Sequence, residues 1–194
     1  MPVVFDIISS HRHAFSTGLV TGLTAGQSFL SLRHAPAAPT TRVMRLRHLE
    51  MEFITTTAFA AAQEMGFAAY IARSFSVAPS GGTAIAITGN EGKVLTSSQS
   101  SVLTGAVSTT GALTVGTRTL DAFPFVTSSF WSAAAGGSFG PRIYGQTLNF
   151  IEPGGIILAN QEGIEFQSTI AMGGSGVGRW VATIAYDIGL VTSS

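Results

Sequence analysis

The segment TRVMRLRHLEMEF (41–53) holds five charged side chains, Arg42 among them, and four of the five form a row whose sign reverses halfway: Arg45, Arg47, Glu50 and Glu52. Two neighbouring carboxylates could act as the acid and base of glycoside hydrolysis, and with His48 they are also metal-ligand types. Glycosidase carboxylates must face each other across a cleft, however, and a metal needs three or four converging groups. Side chains that follow one another along one segment do not converge. We therefore interpret this row as a contact surface for another protein.

Three further motifs suggest chemistry but lack the neighbours that the chemistry requires. GGSFG (136–140) matches a nucleophile elbow, yet Pro141 follows it and all four histidines precede it, whereas that motif needs a following helix and a downstream histidine. GGSGVG (173–178) resembles a phosphate loop but leads into a strand and has no following lysine, which predicts a hairpin loop. HRH (11–13) supplies two imidazoles and no third ligand. We expect no enzyme activity, no cofactor and no metal.

The chain carries little charge. Charged residues make up 10% of its 194 positions, and ten basic side chains balance ten acidic ones, whereas a typical soluble domain has about 25%. A compact monomer of this kind is poorly soluble, because without a net charge its copies do not repel each other. We therefore expect partner subunits to cover much of the surface, in a homo-oligomer with a trimer favoured. A single lysine and a net charge of zero argue against nucleic-acid binding.

Cysteine is absent, which excludes disulfides, thiolate metal sites and cysteine nucleophiles. The start, MPVVFDIISSHRHAF, lacks the basic region and the continuous apolar region of a signal peptide. The longest apolar segment (58–72) is interrupted by Gln63 and Glu64 and is too short to span a bilayer. We expect a protein that is made in the cytoplasm and does not enter a membrane.

The charged row lies in a segment that reads best as a bulged strand. An unbroken strand would mix charged and apolar residues on both faces, whereas one extra residue at His48 separates them. The apolar set then points inward: Met44, Leu46, Leu49, Met51 and Phe53. A helix is the alternative, because Val43, Leu46, Leu49 and Phe53 fall on one helical stripe. The β-branched residues ITTT that follow favour the strand.

Further short strands complete an all-β chain. GFAAYIARSFSV (66–77) alternates and is expected to pair with the charged strand, and RWVATIAYDIG (179–189) places Trp180, Ala182, Ile184 and Tyr186 on one face, which we expect to be the core face. The segment 121–145 is aromatic and glycine-rich and predicts a surface excursion. These features indicate an antiparallel β-sandwich, jelly-roll-like, with an N-terminal arm. We divide the chain into an arm with a proline linker (1–40) and a sandwich domain (41–194).

Three segments resemble, in this order, strands of a group of tailed-bacteriophage virion proteins: ARSFSVAPSGGTAIAITGNEGKVLTS (72–97), GALTVGTRTLDAFPF (111–125) and IILANQEGIEF (156–166). The resemblance covers most of residues 43–190. The chain departs from the group at Glu91 and Gly92, where the group has asparagines, and in WSAAAGGSFGPRIYG (131–145). The resemblance implies a structural component of the virion surface.

Three roles follow as hypotheses. The first is a capsid decoration (cement) protein that is made in the host cytoplasm and assembles as an oligomer on the capsid surface, with the major capsid protein or other virion proteins as partners. The second is a neck, tail or head-fibre component. The third is a glycan-binding adhesin, in which aromatic residues stack on host sugars. The candidate contact residues are the charged row together with Phe130, Trp131 and Tyr144.

Overall fold

The computed structural model describes residues 3–36, 41–78, 80–84, 91–93, 103–109, 111–114, 116–132, 143–149 and 155–193. Within these ranges the chain forms thirteen strands and no helix. The strands are β1 (Val3–Ser16), β2 (Ser28–His34), β3 (Arg42–Thr57), β4 (Gln63–Arg73), β5 (Thr83–Ala84), β6 (Glu91–Lys93), β7 (Leu103–Val107), β8 (Thr119–Leu120), β9 (Val126–Ser132), β10 (Ile143–Asn149), β11 (Ile156–Leu158), β12 (Glu162–Ser168) and β13 (Val177–Ser193).

These strands build two antiparallel sheets. Sheet A has the order β10–β3–β13–β1–β6, and β11 also pairs with β3. Sheet B has the order β5–β7–β2–β12–β4–β8, and β9 also pairs with β4. The apolar core draws its side chains from both sheets and lies between them. The predicted fold class, an all-β antiparallel sandwich, is confirmed.

The bulge in β3 lies next to the predicted position. Ala185 of β13 is opposite His48, whereas Tyr186 is opposite Leu46, so Arg47 is the extra residue. The residues predicted to point inward are all buried: Met44, Leu46, Leu49, Met51 and Phe53. The bulged strand is confirmed, and the helix alternative is wrong.

Trp180 is the centre of the core. Its ring lies 4.8 Å from that of Phe29, 4.9 Å from Phe53, 5.8 Å from Phe67 and 6.1 Å from Phe130, measured between centroids. These neighbours come from both sheets, so one side chain holds the two layers together. The predicted inward face of the last strand is confirmed, because its four residues are all buried: Trp180, Ala182, Ile184 and Tyr186.

Several strands that follow each other in the chain belong to different sheets, among them β3 and β4 and also β12 and β13. β4 pairs with β12 and β9, not with β3, so the predicted pairing of residues 66–77 with the charged strand is wrong. The glycine loop 173–178 joins β12 of sheet B to β13 of sheet A, so the predicted hairpin is wrong too. The buried Phe59 lies in the connection from β3 to β4 and packs against the connection from β12 to β13. A Cβ on Gly176 would come within 1.9 Å of the Phe59 ring. Changing sheets lets neighbouring apolar strands face each other across the core.

The first two strands lie inside the sheets. β1 pairs with β13 and β6, and β2 pairs with β12 and β7. A strand exchanged with a neighbouring subunit would make the same pairs there. The division into an arm (1–40) and a sandwich domain (41–194) therefore stays a prediction.

Two strands occupy much of the segment 121–145, which the sequence predicts to be a surface excursion. β9 pairs with β4, where Phe130 is opposite Met65, and β10 pairs with β3. Val126 is buried and Phe130 packs against the core, so β9 alternates like any half-buried strand. The prediction is wrong for these two strands, and residues 133–142 between them lie outside the described ranges.

Candidate functional site

The outer face of sheet B is covered by the chain's own loops. Five apolar side chains are buried there although they are not part of the core between the sheets: Ala68, Ala72, Phe75, Ala106 and Leu113. Phe75 lies directly over β12, because a Cβ on Gly163 would come within 2.8 Å of its ring. Sheet B therefore has a second, thin apolar layer on its outer side.

A buried ion pair holds this cover in place. The guanidinium of Arg118, in the loop before β8, donates through Nε and Nη2 to the two carboxylate oxygens of Glu165 on β12. Glu165 is fully buried and also accepts hydrogen bonds from Ser28 and, at 2.8 Å, from Gln167. The guanidinium of Arg118 balances the charge of this carboxylate. Glu165 therefore ties the loop to the sheet and is not exposed for acid–base chemistry.

Other charges near sheet B also act within the chain. Arg73 donates to Asp121 at 2.6 and 2.9 Å and to Glu162 at 2.7 Å. The hydrogen bond from Arg73 is the main cause that lowers the pKa of Asp121. Arg33 donates to the carbonyl oxygens of Phe75 and Ser76. These side chains fasten loops to strands.

The outer face of sheet A is organised around one carboxylate, that of Asp187 on β13. It accepts hydrogen bonds from Ser10 of β1 at 2.6 Å, from Arg45 at 2.8 Å and from Arg47 at 2.9 Å. Burial by itself would raise the pKa of Asp187, but the hydrogen bonds from these three side chains and the charge of Arg47 outweigh it and hold the pKa below its ordinary value. Asp187 therefore stays ionised and links the three central strands of the sheet.

The aromatic ring of Phe5 packs against Arg45 of this cluster. The guanidinium carbon of Arg45 lies 4.4 Å from the centroid of the Phe5 ring, which is a cation–π arrangement. Phe5 in turn rests on β13 at Gly189, where a Cβ would come within 2.8 Å of the ring. Because Gly189 has no side chain, the Phe5 ring fits against β13 and Arg45 can pack on the ring.

The charged row predicted from the sequence lies on this outer face, but its members differ in exposure. The Arg45 side chain is 11% exposed and that of Arg47 is 47% exposed. Glu50 is 33% exposed, and its carboxylate lies 3.7 Å from His48 Nε2. Glu52 is half-buried. The sequence missed Asp187, which takes up both arginines. That the row forms a subunit contact stays a prediction.

The aromatic residues predicted as contact candidates differ in exposure. Phe130 points inward to Trp180 and Phe53, whereas Trp131 is 66% exposed. Tyr144 lies on β10 with its backbone opposite Phe53, and its side chain is outside the part that the structure describes. The GGSFG motif and Phe139 also fall outside the described ranges.

The two histidines of HRH are core residues. His11 and His13 are buried and stack on Tyr186, with ring centroids 5.2 and 5.6 Å away. His13 Nε2 lies 3.0 Å from the Tyr186 hydroxyl, and His11 Nε2 lies 2.8 Å from Ser9 Oγ. Phe15 continues the same inward series, a signal already present in the sequence. Among the described residues no three metal-ligating side chains come together.

In the same described ranges, no helix is long and apolar enough to cross a membrane.

Comparisons with known proteins give little. No protein-family model matches the chain, and no curated protein matches it. A structure of turnip yellow mosaic virus at 100 K is similar with a TM-score of 0.27 and 11% identity, over 95% of each chain. Infectious bursal virus derived T=1 particles follow with a TM-score of 0.16 and 10% identity, over 98% of this chain and 40% of that one. The infectious bursal disease virus VP2 subviral particle gives 0.15 and 11%, over 98% and 41%. TM-scores this low carry no argument about fold or function.

Proposed function

We propose that the protein is a structural component of a virion, and more closely a capsid decoration (cement) protein that works as an oligomer on the capsid surface. One observation carries this proposal: the two outer faces of the sandwich are unequal. Sheet B is covered by its own loops, and its charges fasten those loops. Sheet A instead presents a set of charges that hydrogen bonds to Asp187 hold in order, which suits a repeated contact between proteins.

Exposed apolar side chains support a covered surface. Ile7 and Ile157 are 46% and 48% exposed at positions on either side of the Asp187 cluster, and Trp131 and Phe123 are more exposed still. Single apolar residues on a surface are ordinary. In a chain of zero net charge they add to poor solubility, which an assembly relieves.

The resemblance of three segments to tailed-phage virion proteins supports the location on a phage particle. The major capsid protein is then the expected partner of the chain beside further copies of itself. The predicted trimer, the synthesis in the host cytoplasm and the lack of enzyme activity belong to the same proposal.

The copy number in purified virions tests the decoration role against the neck, tail or head-fibre role. We expect quantitative mass spectrometry to find the chain at a level comparable to the major capsid protein, because cement proteins cover the shell. Limited proteolysis of intact particles should cleave it before the shell protein. A small fixed copy number, as for one ring of subunits, would place the protein at the neck or tail instead.

A glycan-binding role is the second candidate, and the exposure of Trp131 and Phe123, 66% and 83%, favours it. Exposed aromatic rings can stack on sugars. A glycan array with the wild-type protein and a Trp131→Ala variant decides this role. Binding that the variant loses supports an adhesin, and no binding at millimolar sugar rejects it.

A further inference from the structure

The outward charges of β3 are symmetric about one point. Counted along the sequence, Arg47 and Glu50 are equally far from the His48–Leu49 bond, and Arg45 and Glu52 are equally far from it two residues further out. The bulge at Arg47 keeps all four on one face although the step from Arg47 to Glu50 is odd. A two-fold axis through this midpoint would place each arginine opposite a glutamate of a second copy.

Exposure decides which of these pairs can form between copies. Arg45 is committed within the chain, since its side chain is 11% exposed between Asp187 and the Phe5 ring. Arg47 is 47% exposed, and Glu50 is 33% exposed. The inner pair of the symmetric row is therefore the accessible one.

The Asp187 cluster also sets the charge that is presented. Two guanidinium groups share one carboxylate, so Arg45, Arg47 and Asp187 together carry a net charge of +1. Glu50 and Glu52 carry −2 on the other side of the midpoint. Within the row on β3, each half is thus complementary to the opposite half of a second copy. Arg12 and Arg179 on the neighbouring strands are also exposed on this face and lie outside the row. Asp187 further holds the Arg47 guanidinium in place, which lowers the cost of ordering it on contact.

We propose that the outer face of sheet A binds the same face of a second copy across a two-fold axis near His48 and Leu49, with Arg47 of each copy against Glu50 of the other. A contact of this kind uses one patch twice, so only a self-complementary patch can form it. Ile7 and Ile157, both about half exposed, flank the charges and add apolar area to the contact. The predicted trimer would need a different surface, because a two-fold contact cannot close a three-fold ring.

The inference does not depend on the virion role. It concerns the isolated protein in solution, and its failure would leave a decoration protein that attaches through another surface. Conversely, a neck location would leave the two-fold contact untouched.

Charge reversal with a mixing step tests the proposal. Arg47→Glu brings glutamates together across the axis and Glu50→Arg brings arginines together, so each variant alone should self-associate about tenfold more weakly than the wild type. An equimolar mixture should recover the wild-type association, because the introduced glutamate of one variant then meets the introduced arginine of the other, while the native Arg47 meets the native Glu50. Analytical ultracentrifugation at low salt gives the association constants. Glu64→Arg makes the same change as Glu50→Arg on sheet B and should leave them unchanged.

A cross-linking measurement covers the case in which a charge-reversed variant does not fold. The chain has no cysteine, so His48→Cys introduces a single thiol beside the proposed axis. Stacked sheets lie about 10 Å apart, so a bis-maleimide of about that length should link two copies rapidly. Thr127→Cys, exposed on β9, is the matched control and should stay monomeric on denaturing gels.

Recovery in the mixture together with selective cross-linking at residue 48 supports the contact. Single variants that associate like the wild type would overturn it, and so would variants that fail alone and also fail together, since the face would then bind a different protein. A wild-type chain that stays monomeric at every concentration overturns it as well.

Discussion

Neutralising Asp187 tests the organisation of the outer face of sheet A. In Asp187→Asn the buried charge disappears, and Arg45 is left largely buried without its carboxylate. Removing one partner of a buried ion pair costs about 3–5 kcal/mol. The second partner, Arg47, is 47% exposed and stays hydrated, so its share follows the exposed-pair range of about 0–1 kcal/mol. Asparagine keeps an acceptor for Ser10. We therefore expect a loss of about 3 kcal/mol of unfolding free energy at neutral pH.

Urea unfolding followed by circular dichroism measures this loss. With a slope of about 2 kcal/mol per molar urea for a domain of this size, the midpoint should fall by about 1.5 M. Asp121→Asn is the control, because Asp121 is an exposed partner of Arg73 and should cost no more than about 1 kcal/mol.

The pH dependence separates charge from shape. The pKa of Asp187 is lowered in the folded protein, so its stabilising effect is complete above the unfolded-state value of about 3.9 and is lost as the pH falls through the folded value. The difference between wild type and Asp187→Asn should therefore shrink below about pH 4. An equal difference at neutral and acid pH would refute the electrostatic explanation, and a variant as stable as wild type at pH 7 would refute the whole argument.

Three further substitutions test the core and the cover of sheet B. Trp180→Ala should cost about 3–5 kcal/mol in urea unfolding, because the indole holds both sheets together; a change within the error of the measurement would contradict the assigned face. Arg118→Ala leaves the fully buried Glu165 unpaired and should cost about 3–5 kcal/mol, while the double variant with Glu165→Met should recover much of that loss; equal stability of single and double variants would exclude a buried pair. Gly176→Ala places a methyl group within 1.9 Å of the Phe59 ring and should destabilise the fold by about 1–3 kcal/mol, as overpacking does; a higher melting temperature in calorimetry would show that the loop has room.

Local alternation was enough to predict β3 and β13. In β3 the alternation failed at one position only, and a bulge is the smallest change that repairs it. In β13 the inward series from Trp180 continued without interruption. These features depend on neighbours in sequence, which a single chain displays directly.

Long-range partners were not predictable in the same way. Asp187 lies more than one hundred residues from the arginines that it binds, and one acidic residue in an apolar strand gives no sign of such partners. The sheet changes after β3 and β12 were missed for the same reason, because pairing follows burial across the core and not order in the chain. The spacing of His11 and His13 suggests ligands, but their alternation with Phe15 is typical of an inward face.

The position of β13 in sheet A has a consequence for synthesis. β13 lies between β1 and β3, yet it leaves the ribosome after both, and after β10 and β11. Until it arrives, β1 and β3 have no common partner, and the carboxylate that fixes Arg45 and Arg47 is absent. The outer face of sheet A therefore cannot assemble before β13 has been made, even on a chain that has already made most of sheet B. If copies bind through this face as proposed, their contact has to wait until β13 has joined the sheet, which keeps copies of a sparingly charged protein apart during the earlier stages of folding.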